Sequence, residues 1–128
     1  MNENFKHEDV TEIVIRSFFK VYNTLGYGFL ERVYENALFY ELSNTELIVE
    51  KQNRINVFYK GEVVGKYVAD LVINNKVIIE IKAAENLCEE HECQLINYLK
   101  ATNIEVGLLL NFGKNPQFRR KVFSNRYY

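Results

Sequence analysis

Val10, Ile13, Val14, Phe18, Val21, Tyr22 and Leu25 recur at three- and four-residue intervals. That is the stripe of an amphipathic helix, and it predicts one over about 8–25. Glu8 and Asp9 place negative charge in its first turn, where the helix dipole favours it. Gly26 and Gly28 break the pattern, and Gly-Tyr-Gly is a tight connection able to take positive φ. A second helix is expected from about 29 to 43, with Leu30, Val33, Ala37, Leu38 and Leu42 as its apolar stripe. The period then changes to two, and a strand is expected over 46–59, with a turn at Lys60-Gly61-Glu62. A second strand covers 63–73, and Tyr67 to Ile73 is apolar apart from Asp70. Such a run predicts burial on both faces in a central position. After Asn74-Asn75 come a third strand at 76–83, a helix at 88–101 and a fully apolar fourth strand at 106–112. The tail from Gln117 to Tyr128 reads as an edge strand or a short helix.

The order α-α-β-β-β-α-β predicts an α+β fold with a mixed sheet of about four strands flanked by helices. The step across 76–112 is expected to be a right-handed crossover joining parallel strands. With 128 residues and 15.1 kDa, the chain reads as a single domain. It is 48 % apolar and 26 % charged, ordinary for a globular protein. No apolar run approaches the ~18 residues of a membrane span, so no membrane partner is expected. The polar N-terminus has no apolar signal-peptide core, which makes the cytoplasm the expected setting. Cys88 and Cys93 match no disulfide framework or zinc pattern. Charge is uneven. Residues 113–128 carry five basic side chains and no acidic one; the rest has eleven basic against seventeen acidic, a net of −6. Arg119, Arg120 and Lys121 in this basic tail are candidate phosphate contacts.

The strand Val77 to Ala83 carries the clearest chemical signal. Glu80 and Lys82 share one face, roughly 7 Å apart at the backbone. A carboxylate and an amine in so apolar a strand are costly unless paired or bound, and Asp70 poses the same problem. One solution is an ion pair at the end of the sheet, a weak stabiliser because desolvation offsets attraction. Another is a divalent cation, since two carboxylates and one Lys leave a net negative charge. Oxygen-only ligands suit Mg²⁺ or Mn²⁺.

Asp70, nine intervening residues, then Glu80-Ile81-Lys82 resembles the PD-(D/E)XK nuclease motif, with Ala69 in place of its Pro. Gly28-Phe29-Leu30-Glu31-Arg32-Val33-Tyr34 is similar to the signature of the GxxExxY proteins, a PD-(D/E)XK-like group. His91 to Lys100 is similar to the helix that follows the core motif in that group. The resemblance spans about 8–123. It implies a restriction-endonuclease-like core and metal-dependent cleavage of DNA or RNA. It also implies that Asp70 and Glu80 hold the metal, joined by the Ile81 carbonyl and by Glu31, directly or through water. Lys82 would act on the attacking water and offset phosphorane charge, and Gln94 would lie near the site. Tyr34 reads as a packing residue with a tied hydroxyl. The alternative is a descendant that binds nucleic acid or a protein without cutting. Low specificity or a protein partner would suit a core with little surface for reading bases, and a double-strand cutter would need a homodimer or two events.

Parity makes the site testable. Directly opposed residues of an antiparallel pair point to one face. A two-residue turn at Asn74-Asn75 would oppose Asp70 to Ile79. A three-residue loop pairs Ile73 with Val77 and opposes Asp70 to Glu80, and a bulge does the same. An odd loop at 74–76, or a bulge beside Asp70, is therefore expected. Glu31 should approach from the second helix.

Overall fold

The computed structural model describes residues 6–124. Its elements are α1 (Glu8–Leu25), α2 (Glu31–Ser43), β1 (Val49–Tyr59), β2 (Glu62–Ile73), β3 (Val77–Lys82), α3 (Glu89–Lys100), β4 (Val106–Asn111) and β5 (Gln117–Val122). The sheet has five strands in the order β1-β2-β3-β4-β5. It is antiparallel except between β3 and β4, which run parallel across the α3 connection. The expected count of about four is corrected to five because Gln117–Val122 of the tail pairs with β4 as an edge strand; residues 125–128 of that tail lie outside the described residues. The α+β architecture agrees with a restriction-endonuclease-like fold. No helix among the described residues is long and apolar enough to cross a membrane.

Two cores sandwich the sheet. On one face Val14, Phe18, Tyr34, Leu38 and Leu42 of α1 and α2 pack on Leu71, Ile73, Ile79, Ile81 and Leu108. On the other, Leu95, Tyr98 and Leu99 of α3 pack on Val72, Ile78 and Leu109. The alternation along β3 divides its side chains between the two cores. Gly107 allows α3 to come close, since a Cβ there would stand 2.6 Å from Leu95 Cδ1.

The expectation that Tyr67 to Ile73 is buried on both faces holds for Ala69 and for Leu71 to Ile73, and it fails for Tyr67 and Val68. Only Ala69 and Leu71 to Ile73 are buried; Val63, Val64, Tyr67 and Val68 are exposed. The first half of β2 pairs with β1 alone, in a hairpin that reaches beyond β3. Its apolar residues satisfy strand propensity without reaching a core.

Candidate active site

Ile73 faces Val77, so the β2–β3 loop holds three residues. Asn74 and Asn75 both have φ 54°, a left-handed conformation that Asn tolerates better than most residues. The Lys76 N–H closes the turn on the Ile73 carbonyl at 2.8 Å. Paired register runs to Leu71 and Ile79. One step further, side chains bridge the strands. The Asp70 N–H donates to Glu80 Oε2 at 2.8 Å, and the Ile81 N–H donates to Asp70 Oδ2 at 2.8 Å. Each carboxylate thus crosses to the other strand's backbone. The odd loop places them together, and the opening of the ladder gives them room.

Asp70 also marks a reversal of facing. Leu71 packs in the α1–α2 core, whereas Ala69, two residues away, packs in the α3 core. Regular alternation would put both on one face. Opposite Asp70 on β1 lies Gln52, whose φ is 51°. Its amide donates to both oxygens of Glu35 on α2, at 2.9 and 3.0 Å. Both strands therefore turn over at this point.

Glu80 is 4 % exposed. Burial, and then the neighbouring Asp70 charge, push its carboxyl up to about 8; the Asp70 N–H and Lys82 act the other way. Burial raises Asp70 as well, against the bond from Ile81. The pair is short of positive charge. Lys82 does not close an ion pair with it, since its Nζ donates to Gln94 Oε1 at 2.9 Å. Among the described residues, none of the ion pairs involves Asp70, Glu80 or Lys82.

Glu31 opens α2 and accepts a bond from the Ala83 N–H at 3.3 Å. It lines a groove of about 610 Å³ with Glu35, Arg32, Gln52 and Asp70. Tyr34 is fully buried, stacks on Phe112 at 4.4 Å, donates to the Gly26 carbonyl and accepts from the Phe29 N–H. It ties down the loop that delivers Glu31, as the packing reading expects. After β3, the buried Asn111 holds both backbone groups of Ala84.

A family model described as the PD-(D/E)XK nuclease superfamily matches residues 8–122. The chain belongs to the PD-(D/E)XK nuclease superfamily. No curated protein matches it significantly. Among solved structures, the crystal structure of SSO0001 is similar, with a TM-score of 0.58 and 24 % identity over 72 % of this chain and 50 % of that one. The chain thus spans about half the length of that structure, and the likeness concerns the fold.

PD-(D/E)XK nucleases generally use divalent metals. Among the described residues, no three His, Cys, Asp or Glu side chains are grouped as a complete metal cage. Asp70 and Glu80 fit such an ion in donor chemistry. Both are hard oxygen donors, and each keeps one oxygen clear of the backbone bonds above.

The three basic candidates on β5 do not form one patch. Arg119 is exposed and bonds the Phe118 carbonyl, Lys121 pairs with Glu92 of α3, and Arg120 donates to the Lys6 carbonyl. Neighbouring strand residues point to opposite faces. Two residues beyond the sequence candidates belong to the neighbourhood. Glu35 follows Glu31 by one helical turn, a visible signal. Gln52 carries none, since Gln has no preference for positive φ.

Proposed function

We propose that this chain is a divalent-cation-dependent nuclease that hydrolyses phosphodiester bonds in DNA or RNA. The observation that carries the reading is the convergence of Asp70 and Glu80 where β2 and β3 part, with Lys82 two residues on. A bound Mg²⁺ or Mn²⁺ would polarise the attacking water and a phosphoryl oxygen. Asp70 and Glu80 would hold it through their free oxygens, with the Ile81 carbonyl and Glu31 as further ligands, direct or through water. Lys82 sets a positive charge where negative charge develops on phosphorus. Gln94 fixes its ammonium. The water oxygen gives up a proton to solvent as it bonds to phosphorus, the bond to the bridging ester oxygen breaks, and that oxygen takes a proton from solvent. The Gly28–Tyr34 segment supports a GxxExxY-type assignment within the superfamily.

The test is a panel of labelled DNAs and RNAs with Mg²⁺ or Mn²⁺ against EDTA. Cleavage is expected only with the cation. Lys82→Ala should lower the rate by about 10²-fold or more while keeping the melting-temperature rise that Mg²⁺ causes. Full activity in Lys82→Ala would remove this mechanism. Cation-dependent stabilisation without cleavage of any substrate would favour the non-cutting, nucleic-acid- or protein-binding alternative.

A further inference from the structure

Gln52 and Asp70 face each other across β1 and β2, and both drop out of the ladder between them. Pairing resumes on either side without a slip: Lys51 faces Leu71, and Asn53 faces Ala69. No residue is inserted in either strand, so the break is not a bulge. Both strands turn over instead. On β2, Leu71 packs in the α1–α2 core and Ala69 in the α3 core. On β1, Val49 packs against the first core and Ile55 lies in the second, although regular alternation would give odd-numbered positions one face.

Hydrogen-bond parity shows what the reversal does to Asp70. The Asn74 N–H donates to the Ile48 carbonyl at 2.8 Å. In an antiparallel ladder every second pair exchanges such bonds. In this register the next are Glu50 with Val72, and then Gln52 with Asp70. An unbroken ladder would therefore send the Asp70 N–H to the Gln52 carbonyl. It donates instead to Glu80 Oε2 on β3, at 2.8 Å. The reversal hands this N–H from one neighbouring strand to the other.

Gln52 takes the unfavourable backbone that the reversal requires. A Cβ disfavours its φ of 51°, and Gln lacks the short side chain by which Asn or Asp bonds its own backbone there. Its side chain is held from outside the strand. Nε2 donates to both Glu35 oxygens on α2, at 2.9 and 3.0 Å. Beside it, Lys51 Nζ donates to Asn36 Oδ1 at 2.6 Å. Neighbouring residues of α2 thus grip neighbouring residues of β1 at the point of reversal.

We propose that Gln52, gripped by Glu35, is a positioning residue that holds β1 turned over opposite Asp70 and thereby aims Asp70 and Glu80 at one divalent cation. This role rests on the cation site of the nuclease reading above. Gln52 acts through Asp70 and not by contact with the ion.

The test compares Gln52→Val with Gln52→Gly in the full chain. Val resists left-handed backbone and favours an unbroken strand, whereas Gly takes positive φ freely. Mn²⁺ affinity by calorimetry should fall by about tenfold or more in Gln52→Val, as when other supports of metal ligands are removed. It should fall much less in Gln52→Gly. In EDTA, an amide-to-amide Overhauser contact between residues 52 and 70, which the exchanged bonds of a ladder pair bring close, should appear in Gln52→Val. It should be absent from the wild type and from Gln52→Gly. Glu35→Ala should weaken Mn²⁺ binding in the otherwise native chain and clearly less in the Gln52→Gly chain, where the turn no longer needs holding. Equal losses in the two chains would assign Glu35 to the ion through its charge and overturn the proposal. Wild-type affinity in Gln52→Val also overturns it, as do equal losses in the Val and Gly variants. Should Gln52→Val fail to fold, the Glu35 comparison decides alone. A wild type that binds no Mn²⁺ overturns the proposal together with the cation site. Binding that follows the expected pattern without cleavage of any nucleic acid supports the proposal and removes the nuclease reading alone.

Discussion

Glu80 accepts the Asp70 N–H while its carboxyl holds a proton up to about 8, against an ordinary 4.5. Below 4.5 the folded and unfolded chains are both protonated at this position. As pH rises toward 8, the unfolded chain releases the proton and the folded chain keeps it. Stability of the metal-free protein should therefore fall through this window, by up to about 1.4 kcal/mol per pH unit from one group. Asp70 acts in the same direction, since its carboxyl is also raised. Urea unfolding in EDTA at pH 5 and pH 8 measures the slope. Glu80→Gln keeps the acceptor and loses the ionisation, so its slope should be shallower. An unchanged slope would assign the dependence to other groups. A bound cation favours the ionised pair and should remove part of the loss while releasing protons. At this scale much was legible in the sequence. The shared side of Asp70 and Glu80 was expected from the resemblance, which asks both to hold one ion, and the Ile73–Val77 pairing meets it because parity is discrete. The Lys82–Gln94 bond was not legible, since it depends on how α3 lies on β3.

Tyr34 shows how one side chain sets the start of an element. Its hydroxyl donates to Gly26 and accepts from Phe29, on either side of the turn before α2. Tyr34→Phe keeps the stack on Phe112 and leaves two backbone groups without that partner. A loss of about 1–3 kcal/mol is expected by urea denaturation, with lower activity if Glu31 shifts. A loss below about 0.5 kcal/mol, within ordinary surface variation, would mean that water or relaxation satisfies both groups. The helices were readable because helical periodicity reports a buried stripe directly: α1 falls on its expected bounds, and α2 and α3 within two residues. Tyr67 and Val68 were misread for a related reason. Val63, Val64, Tyr67 and Val68 have strand propensity, but propensity does not say whether a partner layer covers the strand. The hairpin outruns β3, and its reversal at Gln52 and Asp70 depends on a positive φ that no residue type announces.

Across the whole molecule, the cations that a nucleic acid could meet are dispersed among the described residues. The formal charge is −1. On β5, Arg119 and Lys121 take one face and Arg120 the other, with Lys121 already paired to Glu92. Of the positive side chains near the carboxylates, Lys82 acts on Asp70 and Glu80, and Arg32 lines the groove that holds Asp70. Linear sequence showed a basic tail but not this division, which strand pairing imposes. Each neutralised phosphate contributes about −0.9 to the slope of log K against log salt on duplex DNA and about −0.7 on single strands. Two contacts give a slope of roughly −1.4 to −1.8, far shallower than that of a dedicated DNA-binding protein. Fluorescence anisotropy in EDTA, which prevents metal-dependent cleavage, measures it over a salt series. Arg32→Ala should remove nearly one contact from the slope and weaken binding similarly across sequences. A slope steeper than about −4 would require a larger cationic surface than the sheet gathers around Asp70 and Glu80, and would move the phosphate path away from this groove.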